Sequence, residues 1–327
     1  FAKFSDTPLK LPGAATTPVS PVQVKQRNSH QPTSESGQNT DAPLTGLKVL
    51  DFMWVIAGPF FTRVLADYGA TVIKVESSTK LEPARGSPTF KNGEPGLESG
   101  IPFANFNAGK LGITVDPSNP AGREVILDLV RWADVVTESF SPKAMKAWNL
   151  DYKALREVNP DIIMVSSCLM GQTGPRAQVP GYGNMAAAIT GFYDLTGWSD
   201  RSPAGPFLAY TDGVSPRFML ASLLAALDHR RRTGRGQHID LSQAEAALHL
   251  LVPAILDYQL NDHLWHRDGN RDRDLCPHGV YPTRGADRWI AIACQSDRAW
   301  VAFQTVLGWV EDESLATVDA RRLRQDE

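Results

Sequence analysis

Segments with the character of β-strands alternate with segments of helical spacing along much of the chain, and this alternation restricts the fold more than any other feature. Lys48–Phe52 and Thr71–Val75 are short runs rich in β-branched and apolar residues, and a helical pattern from Phe60 to Tyr68 separates them. Two strands that are joined through one helix lie parallel, with a right-handed crossover. The pattern therefore predicts a βαβ unit at the start of the ordered chain.

The same pattern then repeats. Further strands are predicted at residues 113–115, 134–137 and 161–166, and helices at residues 118–133 and 144–158. Repeated alternation of this kind is typical of an α/β fold with an open parallel sheet and flanking helices. The predicted α/β segment has enough residues to bury a large hydrophobic core.

The pattern changes after residue 170. We expect a strand at Phe207–Tyr210, a turn at Thr211–Gly213, and a helix that begins at Ser215-Pro216, because serine is a good N-cap and proline suits the first helical position. A second long helix is expected from Leu241 to Gln259. Residues 280–282 and 289–293 resemble a hairpin that starts a small second domain.

Composition divides the chain into three parts. Residues 1–43 are rich in Pro, Ser, Thr, Gln and Asn, so they bury too little apolar surface to offset the entropy of ordering, and we expect a largely disordered linker. We expect a large α/β domain at residues 44–260. Residues 261–327 are expected to form part of a small α+β domain.

Charge and cysteine content exclude several classes of protein. The net charge is −3 and the pI about 6.2, which does not favour nucleic acid or an anionic membrane as a partner. No apolar run approaches the roughly 20 residues of a membrane helix. The three cysteines, Cys168, Cys276 and Cys294, lack both a disulfide framework and zinc-site spacing, so we expect a reducing, cytoplasmic environment and no metal.

Motifs for nucleotide binding and for hydrolysis are missing from the sequence. It contains no G-x-G-x-x-G, no G-x-x-x-x-G-K-[ST] and no G-x-S-x-G. The Ala57-Gly-Pro helix start could meet a phosphate or a carbonyl with its free N–H groups, or could be only a tight turn. Asp212 is similarly open: a carboxylate at this place is either a turn residue or an exposed nucleophile for acyl transfer. Spacing alone does not choose between these interpretations.

Several sequence blocks in a fixed order resemble the class III CoA-transferases, the family of formyl-CoA transferase and carnitine CoA-transferase. The resemblance runs from Leu44 to about Gly308. The blocks that carry it are Leu44–Phe52, Ala57–Pro59, Leu65–Glu76, Gly171–Pro175 and Arg232–Gln243.

The resemblance implies a Rossmann-like large domain and a transfer of CoA from an acyl-CoA donor to a carboxylic acid. It implies that Asp212 attacks the thioester, giving an aspartyl anhydride and then an aspartyl-CoA thioester. No cofactor is expected, because the CoA thioester is itself the substrate. By position, the contacts to CoA fall on Ile56, Ala57, Val115, Asp116, Ser118, Ser139, Phe140 and Ser141, with the polar residues Arg85, Asn107 and Lys110 near the same site.

The sequence departs from the family pattern at two basic positions. Ser77 and Ala147 stand where basic residues are often found, so phosphate recognition would depend on other cations such as Lys74, Lys110 or Lys143. Each lost arginine contact removes roughly 1.5–3 kcal/mol of charge-assisted hydrogen bonding.

Two alternative functions remain open at this point. The family also includes α-methylacyl-CoA racemases, but Tyr182 stands where their histidine base is expected, and a phenol with an ordinary pKa is a poor base at neutral pH. A non-catalytic pairing module is the second alternative, since the resemblance implies interlocked dimers. Residues 4–13 resemble the closing strand of such a subunit, which suggests the tail of a preceding module in a tandem protein.

Overall fold

A computed structural model describes residues 2–7, 42–310 and 312–326. The expected linker at residues 1–43 therefore lies largely outside the described residues. The described chain divides into two compact units. The first contains the described residues up to Thr190 together with Phe207–Leu256, and the second contains Gly191–Pro206 together with the described residues from Asp257 onward. The segment at 191–206 thus belongs with the second unit.

Seven strands of the described residues form one sheet, in the order β1-β7-β6-β5-β2-β3-β4. These are β1 (Ala2–Phe4), β2 (Lys48–Phe52), β3 (Thr71–Glu76), β4 (Leu111–Thr114), β5 (Val135–Glu138), β6 (Ile163–Cys168) and β7 (His238–Ser242). Only β1 is antiparallel, and it pairs with β7 through Lys3 opposite Asp240. The six parallel strands follow the doubly wound order, in which the chain changes direction between β2 and β5. Ligands of such folds bind at the carboxyl ends of the strands near this point.

Helices of the first unit cover both faces of the sheet. The helices of the described residues in both units are α1 (Ala57–Asp67), α2 (Ile101–Asn107), α3 (Pro120–Trp132), α4 (Ala144–Ala147), α5 (Tyr152–Val158), α6 (Gly183–Ile189), α7 (Phe192–Leu195), α8 (Tyr210–Thr233), α9 (Gln243–Leu248), α10 (Val252–Asn261), α11 (Asp297–Leu307) and α12 (Val318–Leu323). Four 3₁₀ turns lie at Pro83–Gly86, Lys91–Gly93, His249–Leu251 and Glu313–Leu315. No helix of the described residues combines the length and apolar character that crossing a bilayer requires.

Alternate residues of each strand enter two separate cores, one on each face. Val49 of β2 packs with Phe61 of α1 and Leu223 of α8 on the first face. Its neighbour Leu50 packs with Ile126 of α3 on the second face. Side chains of a strand point to opposite faces in turn, so a sheet covered on both sides needs apolar residues at successive positions, as at Val49 and Leu50. The predicted parallel sheet with flanking helices is confirmed.

The predicted elements around residue 212 are wrong in one important respect. Residues 207–209 are not a strand: Leu208 has a positive φ of 58°, and α8 begins at Tyr210. Pro216 therefore lies inside α8 rather than at its start. As a consequence, Asp212 sits in the first turn of a 24-residue helix and not in a turn after a strand.

Two other predicted helices are interrupted. The helix expected at 144–158 is split into α4 and α5, because Asn149 has a positive φ of 53° and Asp151 caps α5 by accepting from the Ala154 N–H. The helix expected from Leu241 starts later, because residues 238–242 form β7. That strand was missed because its few residues follow an arginine-rich helix end.

The second unit contains the predicted hairpin and a buried arginine. Strands β8 (His278–Pro282) and β9 (Trp289–Ala293) pair antiparallel. Arg321 of α12 is 4% exposed. Its guanidinium donates to the Cys276 carbonyl at 2.7 Å and to Asp297 at 2.8 Å, and it lies over the Trp300 ring. One cation therefore ties α12 and α11 to the start of the hairpin.

Candidate active site

The Asp212 carboxyl lies among the first turns of three helices, α6, α8 and α9. Asp212 is 6% exposed in the first turn of α8. The N–H of Gly183, the first residue of α6, donates to Asp212 Oδ2 at 3.4 Å. The side chain of Gln243, the first residue of α9, acts to lower the pKa of the same carboxyl. Within the described chain these are hydrogen-bond donors without charge, and Asp212 forms no ion pair.

Gly183 is required at its position by close packing. A Cβ at residue 183 would lie 2.7 Å from the Asp212 nitrogen, 2.8 Å from its Cγ and 2.9 Å from the Ala209 carbonyl oxygen. Thr211 strengthens the same contact, because its hydroxyl donates to the Gly183 carbonyl at 3.1 Å. Only glycine lets α6 approach α8 this closely.

Burial raises the pKa of Asp212 to about 6, while the hydrogen bonds from Gly183 and Gln243 act to lower it. Desolvation disfavours the charged form, and donors to the carboxylate favour it. At neutral pH the group is therefore ionised yet poorly hydrated. The N-terminal turn of α8 also places the positive end of a helix dipole beside the anion. A desolvated carboxylate held by neutral donors suits a nucleophile.

The loop between β2 and α1 is strained and firmly anchored. Val55, a β-branched residue, has a positive φ of 67°, a conformation that costs on the order of 1–3 kcal/mol. Its N–H donates to Glu82 Oε1 at 2.7 Å, and the preceding Trp54 N–H donates to Ser139 Oγ at 2.8 Å. Ile56 caps α1 without a side-chain hydrogen bond, and Ala57 is the first helical residue. The first turn of α1 thus presents main-chain donors at the switch point of the sheet.

Two lysines that the sequence analysis offers to phosphate are buried and already engaged. Lys110 Nζ donates to Asp51 Oδ2 at 3.0 Å, and also to Thr62 Oγ1 and Asn107 Oδ1. Lys74 Nζ donates to the Met53 carbonyl at 2.6 Å and to Glu82.

The ammonium groups of Lys74 and Lys110 stabilise the end of β2 and the loop that follows it, through the Met53 carbonyl and Asp51. Both lysine side chains are only 2% exposed. Burial lowers the pKa of Lys110. Burial alone would raise the pKa of Asp51, but Lys110 and Lys74 outweigh it and hold that pKa below its usual value. Lys110 and Asn107 are both largely buried beside Asp51, and their expected contact with CoA stays a prediction.

Arg85 is likewise committed to protein groups. Its guanidinium forms a fork with Glu76, at 2.9 Å to Oε2 and 2.8 Å to Oε1. It also reaches Glu98, at 2.9 Å, and stacks over the Phe103 ring at 3.6 Å. Arg85 therefore positions Glu76, which lines the cavity described next, and does not itself line it.

A cavity of about 250 Å³ opens at the carboxyl ends of β2, β3, β4 and β5. Of the expected contacts to CoA, the cavity wall includes Val115, Asp116, Ser118 and Phe140. Its remaining lining residues are Phe52, Trp54, Val75, Glu76, Ser77, Thr79, Lys80, Pro117, Ala144 and Trp148. The Phe140 ring meets Trp54 and Trp148 edge-on, with centroids 5.4 Å away in each case. Ile56, Ala57, Ser139 and Ser141 lie outside this wall, although Ser139 anchors Trp54.

The Gly171–Pro175 loop is tied to the cavity wall through Gln172. Its side-chain amide donates to Glu138 Oε1 at 3.1 Å and its main-chain N–H donates to Asp240 Oδ1 at 2.7 Å. Glu138 in turn accepts from the Phe140 N–H at 2.8 Å. Burial raises the pKa of Glu138 to about 7 and the Asp240 carboxylate adds to this, against hydrogen bonds from Ser166 and Phe140.

Asp212 and the cavity lie at the same edge of the sheet. Gln243 follows directly on the last residue of β7, and the cavity is built from residues at the ends of β2 to β5. Because these strands are parallel, their carboxyl ends share one edge. Sequence reasoning found Asp212 but missed Gly183 and Gln243 as its partners. Gln243 is the last residue of the Arg232–Gln243 block, one of the blocks that resemble the family.

Comparisons with known proteins identify the family of this chain. Residues 44–327 match the model of CoA-transferase family III. A succinyl-CoA–D-citramalate CoA-transferase of Chloroflexus aurantiacus is 34% identical over 297 residues, which cover 89% of this chain and 72% of that protein. A succinate–glutarate CoA-transferase of Agrobacterium fabrum is 33% identical over 288 residues, covering 86% of this chain and 72% of that protein.

A solved structure has the same fold. The crystal structure of a CaiB/BaiF family protein from Brucella suis matches with a TM-score of 0.79 at 34% identity, and the match covers 88% of this chain and 76% of that one.

Proposed function

The chain belongs to CoA-transferase family III, and on this premise we propose that it moves CoA from an acyl-CoA donor to a free carboxylic acid through covalent attachment to Asp212. The observation that carries the proposal is the environment of Asp212, a buried carboxyl in the first turn of α8 whose donors among the described residues are uncharged. A carboxylate with a structural role in a protein interior is normally paired with a cation.

The proposed reaction proceeds through two covalent intermediates on Asp212, an anhydride and a thioester. A carboxylate oxygen attacks the thioester carbonyl carbon of the donor, the C–S bond breaks, and the electron pair leaves with the CoA sulfur, giving an acyl-aspartyl anhydride and CoA thiolate. The thiolate then attacks the aspartyl carbonyl carbon. The donor acid departs as a carboxylate, and an aspartyl-CoA thioester remains.

The second half repeats these steps with the acceptor. The acceptor carboxylate attacks the aspartyl thioester and expels CoA thiolate, which then attacks the acceptor's carbonyl carbon in the new anhydride. The products are the new acyl-CoA and the original Asp212 carboxylate. Each step exchanges one acyl bond for another, so neither oxidant nor reductant is needed.

The state of Asp212 suits this chemistry. With a pKa of about 6, roughly nine carboxyls in ten are ionised at pH 7. The partial desolvation that raises the pKa also removes water from the nucleophile, and the Gly183 N–H keeps one oxygen in a fixed direction.

We propose that the cavity takes the nucleotide end of CoA. Trp54, Phe140 and Trp148 offer aromatic surface to an adenine ring, and the carboxylates of Glu76 and Asp116 can accept from its amine or from ribose hydroxyls. Because Lys74 and Lys110 are engaged, we propose that the exposed Lys80 of the cavity wall and the exposed Lys143 contact the phosphates.

The proposed partners are an acyl-CoA, a carboxylic acid and a second copy of the chain in a homodimer. The two relatives described above are named for succinyl-CoA or succinate as one substrate and for D-citramalate or glutarate as the other. We therefore propose succinyl-CoA as the donor and a four- or five-carbon dicarboxylate as the acceptor.

Asp212→Ala and Asp212→Asn test the proposal. CoA transfer from succinyl-CoA to a panel of dicarboxylates is expected to fall by about 10³-fold or more in both variants, because the covalent route is removed. Hydroxylamine added to the unmodified protein with succinyl-CoA is expected to label Asp212, as read by peptide mass spectrometry. Near-normal turnover of either variant would exclude the proposed mechanism.

The same assay in deuterium oxide separates transfer from racemisation. A racemase exchanges the α-proton of a branched acyl-CoA with solvent, so deuterium would enter that position without any acceptor acid. Tyr182, which stands where a racemase base is expected, is 58% exposed at the N-cap of α6. We expect no α-exchange, and exchange that survives Asp212→Asn would favour the racemase function.

A further inference from the structure

We propose that the cavity at the ends of β2 to β5 selects an adenosine nucleotide whose ribose hydroxyls are free, with Asp116 as the residue that discriminates. A thioester of dephospho-CoA, which lacks the phosphate on the ribose 3′ oxygen, then serves at least as well as a thioester of CoA. This selection rests on the proposed function, which gives the cavity to the nucleotide end of CoA. It adds the form of the nucleotide and the residue that selects it.

The cavity has an aromatic side and a polar side. The ends of β2 and β5 contribute aromatic rings, those of Phe52, Trp54, Phe140 and Trp148. The ends of β3 and β4 contribute the polar side, which consists of Glu76, Ser77, Thr79, Lys80, Asp116 and Ser118. A planar adenine ring is complementary to the aromatic side, so the ribose that it carries faces the polar side.

Asp116 presents a carboxylate of fixed direction just after β4. Its Oδ1 accepts from the Ser118 N–H at 2.9 Å and from the Ser118 hydroxyl at 2.6 Å. The Thr79 hydroxyl donates to its Oδ2 at 3.4 Å. These hydrogen bonds, led by those from Ser118, hold the pKa of Asp116 below its usual value. The carboxylate is therefore ionised at neutral pH, and Oδ2 keeps a lone pair that can accept from a ribose hydroxyl.

The second carboxylate of the polar side, that of Glu76, has its charge balanced from outside the cavity. Both of its oxygens accept from Arg85, at 2.8 and 2.9 Å, and Arg85 is not part of the cavity wall. Among the described residues Asp116 has no such fork, and the Lys80 ammonium is the cation that acts on it. A phosphate on the ribose would meet the Asp116 charge directly, and like charges at close range repel.

The start of α3, beside Asp116, presents few free N–H groups to an anion. The Ser118 and Asn119 N–H groups donate to Asp116, to its Oδ1 and to its carbonyl at 3.2 Å respectively. The Ala121 N–H donates to Asn119 Oδ1 at 2.9 Å, and Pro120 has no N–H. A helix start binds phosphate through free N–H groups, and here these donors are engaged within the turn.

Other nucleotide-binding folds select the ribose by the same chemistry. In dinucleotide-binding domains an acidic residue that accepts from a ribose hydroxyl selects the unphosphorylated ribose, whereas an arginine accommodates a ribose phosphate. The wall of this cavity includes Asp116 and, among its described residues, no arginine. Its lysine, Lys80, is exposed and suits the diphosphate that CoA and dephospho-CoA share.

Isothermal titration calorimetry of the unmodified chain with CoA and with dephospho-CoA tests this selection, because the two ligands differ only in the ribose phosphate. We expect dephospho-CoA to bind at least as tightly as CoA, since Asp116 repels the extra phosphate. For the two succinyl thioesters we expect kcat to agree within about twofold, and KM to be no higher for the thioester of dephospho-CoA. Tighter binding of CoA would overturn the inference.

Asp116→Asn removes the charge and keeps the size of the side chain and an oxygen that can accept from Ser118. We expect CoA to gain about threefold to tenfold in affinity relative to dephospho-CoA at low salt, and the gain to shrink as salt screens the charge. The matched control is Asp128→Asn, since Asp128 is an exposed aspartate of α3 that pairs with Arg131 outside the cavity wall. An unchanged affinity ratio in Asp116→Asn, or an equal change in Asp128→Asn, would contradict the role of Asp116.

Lys80→Met separates the diphosphate from the ribose phosphate. If Lys80 contacts the diphosphate, the substitution weakens both ligands alike, and the ratio of their affinities stays constant. A loss confined to CoA would show that Lys80 holds the ribose phosphate, and the selection would be wrong. Lys80 is exposed, so this variant should keep the fold, as read by circular dichroism.

The results separate this inference from the proposed function. If CoA binds more tightly than dephospho-CoA while Asp212→Asn abolishes transfer, the ribose selection is wrong and the proposed function stands. If dephospho-CoA binds at least as tightly but Asp212→Asn turns over normally, the selection stands and the covalent mechanism is wrong. If neither ligand binds, both are wrong.

Discussion

Replacing Gly183 with alanine should displace Asp212 while leaving the chain folded. The added Cβ would lie 2.8 Å from Asp212 Cγ and 2.7 Å from its nitrogen, whereas carbon atoms in contact prefer about 3.5–4.0 Å. Relief of the overlap needs a movement of about 0.7 Å or more between α6 and the first turn of α8. The same movement lengthens the hydrogen bond from the Gly183 N–H to Oδ2, which is already 3.4 Å.

The expected magnitudes follow from this displacement. Overpacking costs about 1–3 kcal/mol, and the lower entropy of the unfolded alanine chain offsets about 0.4–1 kcal/mol. A net loss of about 1–2 kcal/mol lowers the Tm by roughly 2–8 °C for a domain of this size. A misplacement of 1 Å can reduce the rate about 100-fold, so we expect kcat/KM for succinyl-CoA to fall about 10- to 100-fold.

Gly213→Ala is the matched control, because Gly213 follows Asp212 in α8 and a Cβ there meets nothing within 4 Å. Alanine inside a helix is more stable than glycine by about 0.5–1 kcal/mol, so this variant should melt at a slightly higher temperature with kcat/KM within about twofold. The assay is CoA release with hydroxylamine, beside thermal melts followed by circular dichroism. Full activity of Gly183→Ala, or a large loss in Gly213→Ala, would refute the steric argument.

Two further predictions concern buried charges. Lys110→Met leaves the Asp51 carboxylate buried without that partner, so the free energy of unfolding measured in urea should fall by about 3–5 kcal/mol. In the Lys110→Met background, Asp51→Asn should cost much less stability than the same substitution costs in the original chain. A loss under about 1 kcal/mol for Lys110→Met would contradict the proposed structural role of Lys110. Glu138 has a pKa raised from 4.5 to about 7, so the folded state holds a proton that the unfolded state has lost between these pH values. Stability should therefore fall as the pH rises from about 5 to 7, and Glu138→Gln should flatten that slope in urea midpoints measured at each pH; an unchanged slope would show that Glu138 does not titrate in this range.

The order of strands and helices in the large unit could be predicted from the sequence because its signals are local. Lys48–Phe52 and Thr71–Glu76 are apolar runs that fit a sheet covered on both faces, and the structure has strands at these residues. Residues 120–132 carry a proline at the helix start and an amphipathic pattern, and they form α3. Such patterns depend on residues a few positions apart, which is the range over which sequence and local structure are coupled.

The errors occur where a local pattern competes with long-range packing. Phe207–Tyr210 has the composition of a strand, but no strand of the described sheet pairs with it, and Leu208 adopts a positive φ as the chain enters α8. Residues 238–242 are a strand because β6 and β1 lie on either side of them. Strand pairing is a tertiary property, so a short segment does not encode it alone.

The sequence by itself determined the α/β alternation, the resemblance to CoA-transferase family III, and Asp212 as the candidate nucleophile, since each of these is written in residue types and their order. Only the tertiary structure decided what surrounds that carboxylate. It showed Lys110 as a buried partner of Asp51, and it brought Gly183 and Gln243, 60 positions apart by their numbers, into the surroundings of Asp212. The physical reason is that burial and hydrogen bonding depend on distances in space, and these are set when parallel strands bring the helix starts that follow them to one edge of the sheet.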